Sequence, residues 1–137
     1  MMKKSKLFLL AYIFLIIGCD KFYKDCVCTE EFRMYSLTIL DIENAPIDSV
    51  KISVRDKLSN KIYDLSDYNY DFLPKGEYII FHDGFKNDLN TFTKRIVVNS
   101  EIDSIFVQTE LGFNTDECNC HVQKVFGPDT IWVDLNI

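Results

Sequence analysis

Cysteine is the residue type in this chain with the clearest capacity for chemistry, and five cysteines occur in its 137 residues. Four of them form two close pairs, Cys26-Val27-Cys28 near the start and Cys118-Asn119-Cys120 near the end. The fifth, Cys19, stands alone directly after an apolar run. Thiols can carry a lipid, form disulfides or bind a metal, so the segments around each group decide which reaction it serves.

The segment before Cys19 has the parts of a secretory signal. A basic head with three lysines is followed by eleven apolar residues, 7–17, and then by a small residue, Gly18. A membrane-spanning helix needs roughly 20 apolar residues, so this run is too short to cross a bilayer. We therefore predict that residues 1–18 are a signal peptide.

Ile16-Ile17-Gly18-Cys19 resembles the lipobox of bacterial lipoproteins. The resemblance implies cleavage before Cys19, attachment of a lipid to its sulfur and anchoring to the bacterial cell envelope. We expect the outer membrane to be the membrane that holds the anchor. Residues 19–31 would form the lipidated N-terminus and a short tether, and residues 32–137 a single domain. The alternative is an ordinary secretory signal in which the cysteine occurs by chance.

The two cysteine pairs are predicted to form disulfides, because an exported chain meets an oxidising compartment. Residues two apart on a strand point to the same face, so each pair can present both sulfurs to a neighbouring strand. Parallel strands would join Cys26 to Cys118 and Cys28 to Cys120. Antiparallel strands would join Cys26 to Cys120 and Cys28 to Cys118. We favour the antiparallel pairing, because antiparallel neighbours outnumber parallel ones about two- to three-fold.

A zinc site is the competing interpretation of the cysteines, since His121 directly follows Cys120. Structural zinc sites usually separate their cysteines by two to four residues, and a single intervening residue fits that pattern poorly. We therefore predict no metal and no cofactor, and we expect His121 to be a polar strand residue.

Catalytic residues are not evident in the sequence. His82-Asp83 at a strand end could be half of a catalytic set, but no nucleophile completes it. No nucleophile elbow, metalloprotease helix or phosphate-binding glycine loop occurs. We predict that the protein is not an enzyme and assign no catalytic residue.

The polar and aromatic stretch 64–72 offers two further hypotheses. Three aspartates could hold calcium, although their spacing matches no known calcium loop: Asp64, Asp67 and Asp71. Three aromatic residues could form a contact surface for protein or glycan, or cap the core: Tyr68, Tyr70 and Phe72.

Net charge excludes one class of partner. Without residues 1–18 the chain carries 12 basic and 21 acidic side chains, a net charge of −9. Such an acidic surface argues against binding to nucleic acid and against direct adsorption to anionic lipid headgroups. The lipid, rather than a basic surface, is therefore expected to hold the protein at the membrane.

The elements that must position these residues are predicted to be short strands. Val50–Arg55 alternates strictly between apolar and polar residues, as a half-buried strand does. Turn residues separate further β-rich runs, and the last two, joined by Gly127-Pro128-Asp129, are expected to form a hairpin. The pattern predicts an all-β antiparallel sandwich with strands at 35–42, 50–55, 61–65, 77–82, 92–99, 104–109, 120–126 and 130–136, and with loops at 83–88 and 111–117.

Two stretches resemble carboxypeptidase-regulatory-like domains. Leu37–Val54, with Asp41 and a turn ending in Ala45-Pro46-Ile47, looks like the opening hairpin of that family. Leu73-Pro74-Lys75-Gly76-Glu77-Tyr78 is similar to its L-x-x-G-x-Y turn. Asn44 stands where the family usually has glycine, and the cysteine pairs are not part of its general pattern. The resemblance implies a transthyretin-like sandwich of the immunoglobulin-like class that is non-catalytic.

These observations together lead us to expect a lipid-anchored, non-catalytic β-sandwich of the cell envelope. It would act as a binding or structural module for an envelope protein or glycan. The alternative is an envelope enzyme or metal-binding protein whose site is built from residues scattered along the chain.

Lipidation is tested by Cys19→Ser in the full chain. We expect the variant to lose the mass of the lipid and to leave the membrane fraction, because a serine offers no sulfur for the lipid. Cell fractionation and intact-protein mass spectrometry measure both effects. A variant that stays membrane-bound with the mass shift of the wild type would contradict the lipoprotein interpretation.

Overall fold

Strands make up about half of the computed structural model, which describes residues 26–66, 72–89 and 92–136. The predicted signal peptide 1–18 and the predicted lipid site Cys19 lie outside the described residues. A 3-10 helix, Asp83–Asp88, follows the fourth strand. The strands are β1 Met34–Asp41, β2 Lys51–Asp56, β3 Ile62–Tyr63, β4 Glu77–His82, β5 Lys94–Ile102, β6 Ile105–Thr115, β7 Val122–Phe126 and β8 Thr130–Val133.

The strands form two sheets, and the predicted all-β sandwich is confirmed. One sheet has three strands in the order β4-β1-β8, and the other has five in the order β3-β2-β5-β6-β7. Neighbouring strands are antiparallel except β1 and β8, which run parallel over Thr38–Asp41 and Thr130–Val133. The sandwich therefore contains a parallel pair that the sequence analysis does not predict.

Aromatic rings from both sheets meet in the core. Phe81 of β4 stacks on Phe113 of β6 at 4.7 Å between ring centroids, and both side chains are fully buried. Tyr63 packs edge-on against Phe81 at 5.0 Å. Burial, with smaller effects of Asp56 and Asp88, raises the pKa of Tyr63 to about 12, so its ring enters the core uncharged.

The last two strands do not form the predicted hairpin. β7 pairs with β6, whereas β8 pairs with β1 in the other sheet, so the turn 127–129 carries the chain from one sheet to the other. The Thr38 N–H donates to the Asp129 carbonyl at 2.8 Å, which places the crossing chain beside β1. The hairpin prediction is wrong because contact with a strand some 90 residues earlier replaces the local pairing.

β6 is longer than predicted. It continues through Leu111 and Phe113 to Thr115, where the sequence suggested a loop, and both apolar side chains are fully buried. A side chain at Gly112 would overlap the Phe126 ring on β7, so glycine here allows the ring to lie over the strand. The preceding turn lies at Asp103-Ser104 instead of residues 100–101.

β1 and β2, which the family resemblance pairs as an opening hairpin, lie in different sheets. Between them, Asp41 accepts hydrogen bonds from the Glu43 and Ala45 N–H groups, each at 2.8 Å. Gly76 packs against Pro46 so closely that a Cβ would lie 2.8 Å from the proline ring. The two stretches that carry the resemblance therefore contact each other at one end of the sandwich.

Phe81→Ala tests the shared aromatic core. We expect the free energy of unfolding to fall by about 3–5 kcal/mol, because the substitution removes a fully buried ring between the sheets. Denaturant unfolding measures the loss. Phe106→Ala is the matched control, since Phe106 is 75 % exposed and should change stability by less than about 0.5 kcal/mol. Equal effects of the two substitutions would contradict this core.

Candidate functional site

Two disulfides fasten the first described residues to the far end of the sequence. Cys26 is bonded to Cys118 with 5.5 Å between Cα atoms, and Cys28 to Cys120 with 5.3 Å. The prediction of two bridges between the pairs is confirmed. The favoured Cys26–Cys120 and Cys28–Cys118 pairing is wrong, and the parallel pairing is the one that forms.

The loop between β6 and β7 explains this pairing. Cys118 and Cys120 lie in a tight turn rather than on a strand, so strand statistics do not apply to them. The Asn119 N–H donates to the Asp116 carbonyl at 2.9 Å, and Asn119 has a left-handed φ of 53°. Asparagine tolerates this conformation better than most residues. The Cys120 N–H donates to the Asp116 carboxylate at 2.7 Å, which fixes the turn further.

Asp83 connects three segments at the same end of the sandwich. Its carboxylate accepts hydrogen bonds from the Arg33 N–H at 2.9 Å and the Val122 N–H at 2.7 Å. It also lies 2.7 Å from Nδ1 of His121. Burial alone would raise the pKa of Asp83, but the bonds from His121, Arg33 and Val122 outweigh it and hold that pKa below its usual value. Asp83 is therefore a buried carboxylate whose charge is compensated.

His121 joins Asp83 to the N-terminal segment. The ionised Asp83 carboxylate can only accept, so Nδ1 of His121 carries a hydrogen and donates a hydrogen bond to it. Nε2 of His121 is hydrogen-bonded to the Thr29 hydroxyl at 2.9 Å. The result is a chain of three side chains, Thr29–His121–Asp83, in which His121 is only 5 % exposed. His121 directly precedes β7 and is a buried bridging residue rather than a polar strand residue.

A groove of about 490 Å³ opens beside this chain of hydrogen bonds. Thr29, Arg33, His121 and Gln123 line it together with the disulfide-bonded turn. A hydroxyl, an imidazole and a carboxylate in this order can transfer the hydroxyl proton to the imidazole while the carboxylate stabilises the resulting charge. The same three side chains can also serve only to hold the N-terminal segment on the sandwich through buried hydrogen bonds.

The two residues of the predicted half-site, His82 and Asp83, contact different partners in the structure. Asp83 turns towards His121, whereas His82 stacks on Phe85 at 4.1 Å and accepts the Gly84 N–H on Nδ1 at 3.0 Å. Burial lowers the pKa of His82 despite the opposing effect of the Asp83 charge, so His82 is neutral at pH 7. His82 therefore helps to begin the 3-10 helix, and His121 is the partner of Asp83.

Most residues on which the two hypotheses for the stretch 64–72 depend lie outside the described residues: Asp67, Asp71, Tyr68 and Tyr70. Asp64 is exposed and accepts the Ser66 N–H at 2.9 Å, as a turn residue does. Phe72 is 62 % exposed, so it does not cap the core.

Neither a metal cluster nor a membrane helix is found in the part of the chain that the structure describes. Within 26–66, 72–89 and 92–136, no group of three or more His, Cys, Asp or Glu side chains is arranged to hold a metal ion. Over the same residues, no helix has the length and apolar character needed to span a bilayer.

No motif in the sequence marks Thr29 or Trp132 as a site residue. Thr29 is one of many polar residues, and only the fold brings it to His121, 92 positions later. Trp132 is 59 % exposed, and its Nε1 donates to the Asn44 side-chain oxygen at 3.0 Å. Trp132 is the one tryptophan of the chain and lies in a strand of alternating pattern, which is the only signal that could have identified it.

Comparison with known proteins gives no relative: no family model, no curated protein and no solved structure matches the chain.

The disulfide pairing is tested by two double variants. Cys26→Ser/Cys118→Ser removes one bridge and should leave no free thiol between Cys28 and Cys120. Cys26→Ser/Cys120→Ser removes one partner from each bridge and should expose two thiols. Thiol labelling followed by mass spectrometry of the unreduced proteins distinguishes them. Two labelled thiols in the first variant and none in the second would support the crossed pairing instead.

Asp83→Asn should lower the free energy of unfolding at pH 7 by about 1.5–3 kcal/mol, the range for hydrogen bonds to charged groups. The fold holds the pKa of Asp83 below the ordinary 3.8. The stabilisation by ionised Asp83 is therefore fully present above the ordinary pKa of 3.8, and it is lost as the pH falls through the lower pKa of the folded state. Denaturant unfolding against pH should show the two proteins converging below pH ~4.

Asp134→Asn is the control for this pH series, because Asp134 is exposed and accepts only a local hydrogen bond from the Asn136 N–H. We expect it to follow the wild type at every pH. A constant difference between Asp83→Asn and the wild type from pH 7 down to acid would contradict an ionised, hydrogen-bonded Asp83.

Proposed function

We propose that this protein is a lipid-anchored, non-catalytic module of the bacterial cell envelope, held at the membrane through Cys19. Its β-sandwich binds an envelope protein or glycan, or supports an assembly of such partners. The proposal rests on one observation above all, which is the fastening of Cys26 and Cys28 to the sandwich. A tether that begins at Cys19 would reach the domain seven residues later, at two covalent bonds.

The two disulfides suit a domain that is pulled at its N-terminus by a membrane tether. The two bridges each close a separation of 92 residues, so they join the first part of the domain to its last part. In the chain-entropy model a loop of this length contributes on the order of 4 kcal/mol to stability. The Thr29 hydroxyl and the Arg33 N–H add hydrogen bonds to the same segment. Force on the tether is thus carried into both sheets rather than onto β1 alone.

Trp132 supports a binding role at a distance from the tether. It pairs with Leu40 across β8 and β1, and its bond to Asn44 holds an exposed ring in a fixed position. A fixed aromatic side chain loses little conformational entropy on binding, and such rings stack well on proteins and on sugars. The outer side of the three-stranded sheet around Trp132 is therefore our proposed partner surface.

Cell fractionation and protease treatment together test the separate roles of the lipid anchor, which holds the protein at the membrane, and of the disulfides, which stabilise the domain. We expect replacement of all four paired cysteines by serine to leave the protein in the membrane fraction but to expose its domain to added protease. The wild type should be membrane-bound and protease-resistant, and Cys19→Ser should be released yet resistant. A wild type without lipid, or a four-serine variant as resistant as the wild type, would contradict the proposal.

The partner surface is tested by a photoreactive p-benzoylphenylalanine at position 132 in the full chain, expressed in its own cells. Irradiation should give a defined adduct with an envelope protein or glycan. The same group at Phe106, which is 75 % exposed on the other sheet, is the matched control and should give none. Absence of an adduct from position 132 would contradict this surface.

A second candidate function is hydrolysis of an ester or amide at Thr29. It is favoured by the order Thr29–His121–Asp83, with 2.9 Å and 2.7 Å between the bonded atoms, beside an open groove. Thr29 Oγ would attack the carbonyl carbon while His121 Nε2 takes its proton and then returns it to the leaving group. Water would release the acyl group from Thr29 by the same route.

A fluorophosphonate probe separates the two candidates. The hydrolase predicts a covalent adduct on Thr29 that is lost in His121→Ala, and the non-catalytic module predicts no adduct. Thr29→Ser serves as the sensitive variant, because it keeps the hydroxyl and removes the methyl group beside it. No labelling of the wild type or of Thr29→Ser would exclude the hydrolase.

A further inference from the structure

One end of the sandwich displays two strongly exposed apolar side chains beside a basic groove. Leu58, in the turn between β2 and β3, is 94 % exposed, and Phe92, just before β5, is 78 % exposed. Both line a groove of about 620 Å³ together with Lys57, Lys94 and Arg95. Single exposed apolar residues are common, but two of them on one basic groove call for an explanation.

The turn that carries Leu58 is held rigidly. The buried Asp56 carboxylate accepts the Leu58 N–H at 2.8 Å and the Ser59 N–H at 3.0 Å, and it pairs with Lys94 at 3.0 Å. The Lys57 N–H donates to the Arg95 carbonyl at 2.9 Å, which ties the turn to the start of β5. Leu58 is therefore presented to solvent by a fixed turn instead of being free to fold back.

The groove lies at the end of the sandwich where the tether enters. Asp56 at the end of β2 pairs with Ile96 near the start of β5, and Lys94 pairs with Phe113 near the end of β6. β6 leads directly into the turn that is bonded to Cys26 and Cys28. The seven residues from Cys19 to Cys26 span at most about 25 Å, so a lipid on Cys19 would keep this end close to the bilayer.

Local charge differs from that of the whole chain. Three basic side chains line this groove, Lys57, Lys94 and Arg95, and they pair with two acidic ones, Glu110 and Asp56. The local balance is therefore +1, whereas the chain without residues 1–18 has a net charge of −9. An anionic lipid surface that repels the chain overall does not repel this part of it.

We propose that Leu58 and Phe92 dock the tethered end of the sandwich onto the lipid surface of the membrane that holds the anchor. The inference rests on the proposed lipid anchor, which supplies the high effective concentration that a weak contact needs. Leu58 and Phe92 enter the interface between headgroups and acyl chains, while Lys57, Lys94 and Arg95 remain at the headgroups. Docking fixes the orientation of the domain and directs Trp132 away from the membrane.

Tryptophan quenching by brominated lipid tests the docking in the full, lipidated protein. In a Trp132→Phe background, Leu58→Trp and Phe92→Trp each place a single tryptophan at the groove. The protein is reconstituted into vesicles of phosphatidylethanolamine and phosphatidylglycerol that contain phosphatidylcholine brominated near the headgroup end of its chains. We expect both tryptophans to lose fluorescence and to emit at shorter wavelength in these vesicles.

Phe106→Trp in the same background is the matched control. Phe106 is 75 % exposed but lies near the opposite end of β6, about 24 Å along the strand from Phe113, which pairs with Lys94 at the groove. Its tryptophan should be unaffected by brominated lipid. Quenching at position 106 but not at 58 and 92, or at none of the three in a protein of lipidated mass, would overturn the docking. If the emission of the tryptophans at 58 and 92 shifts without vesicles and the shift accompanies dimer formation, the groove binds a second copy of the chain. That result would also overturn the docking.

Mass spectrometry of the purified protein keeps this test separate from that of the proposed function. A mass without lipid would overturn the lipid anchor itself. The docking, which relies on the anchor, would fall with it, whereas a lipidated mass without quenching at positions 58 and 92 would overturn the docking alone.

Discussion

The buried carboxylate of Asp83 is the interaction on which this end of the molecule depends. It lies just after β4 and accepts hydrogen bonds from the backbone before β1, from the first residue of β7 and from the His121 ring. A carboxylate buried without partners costs several kcal/mol, so the chain must bring all three donors to it. The three segments are remote in sequence, and satisfying this single charge places them together.

The disulfides and His121 extend this arrangement to the N-terminal segment. His121 carries the connection from Asp83 to Thr29, and the turn that precedes it carries both cysteines bonded to Cys26 and Cys28. Covalent bonds restrict the unfolded chain, whereas the buried hydrogen bonds select one orientation of the segment in the folded chain. Together they suit a domain that receives its tether at this point, which is why the proposed anchor and the proposed membrane contact both refer to the same end.

Local patterns in the sequence are sufficient for most strands but not for their partners. β4 is predictable to the residue, because Glu77–His82 is a β-rich run that follows a turn with Gly76. The alternation of Val50–Arg55 is likewise confirmed, with Val54 buried and Lys51 exposed. β6 beyond residue 109 was not predictable, because Gly112, Asn114 and Thr115 resemble loop residues until a neighbouring strand covers them. The parallel pairing of β8 with β1 is a long-range contact that no local pattern specifies.

The same limit applies to the site. Cysteine spacing predicts two bridges between the pairs, but the pairing depends on a turn whose conformation follows from Asp116 and Asn119. His82-Asp83 attracts attention because the two residues are adjacent, yet Asp83 is hydrogen-bonded to His121, 38 residues away. Thr29 has no distinguishing neighbour in the sequence. Residues that act together here are joined by the burial of one charge, and burial is a property of the fold.

Amide hydrogen exchange at Arg33 is the most direct measurement of the central claim, that Asp83 holds the N-terminal segment on the sandwich. Nuclear magnetic resonance can follow the amides of Arg33 and Val122, which both donate to Asp83, beside that of Ile39, which donates to the Gly76 carbonyl. We expect all three amides to exchange slowly, at rates set by opening of the domain. Exchange at Arg33 as fast as in an unfolded chain, with Ile39 still protected, would contradict that claim.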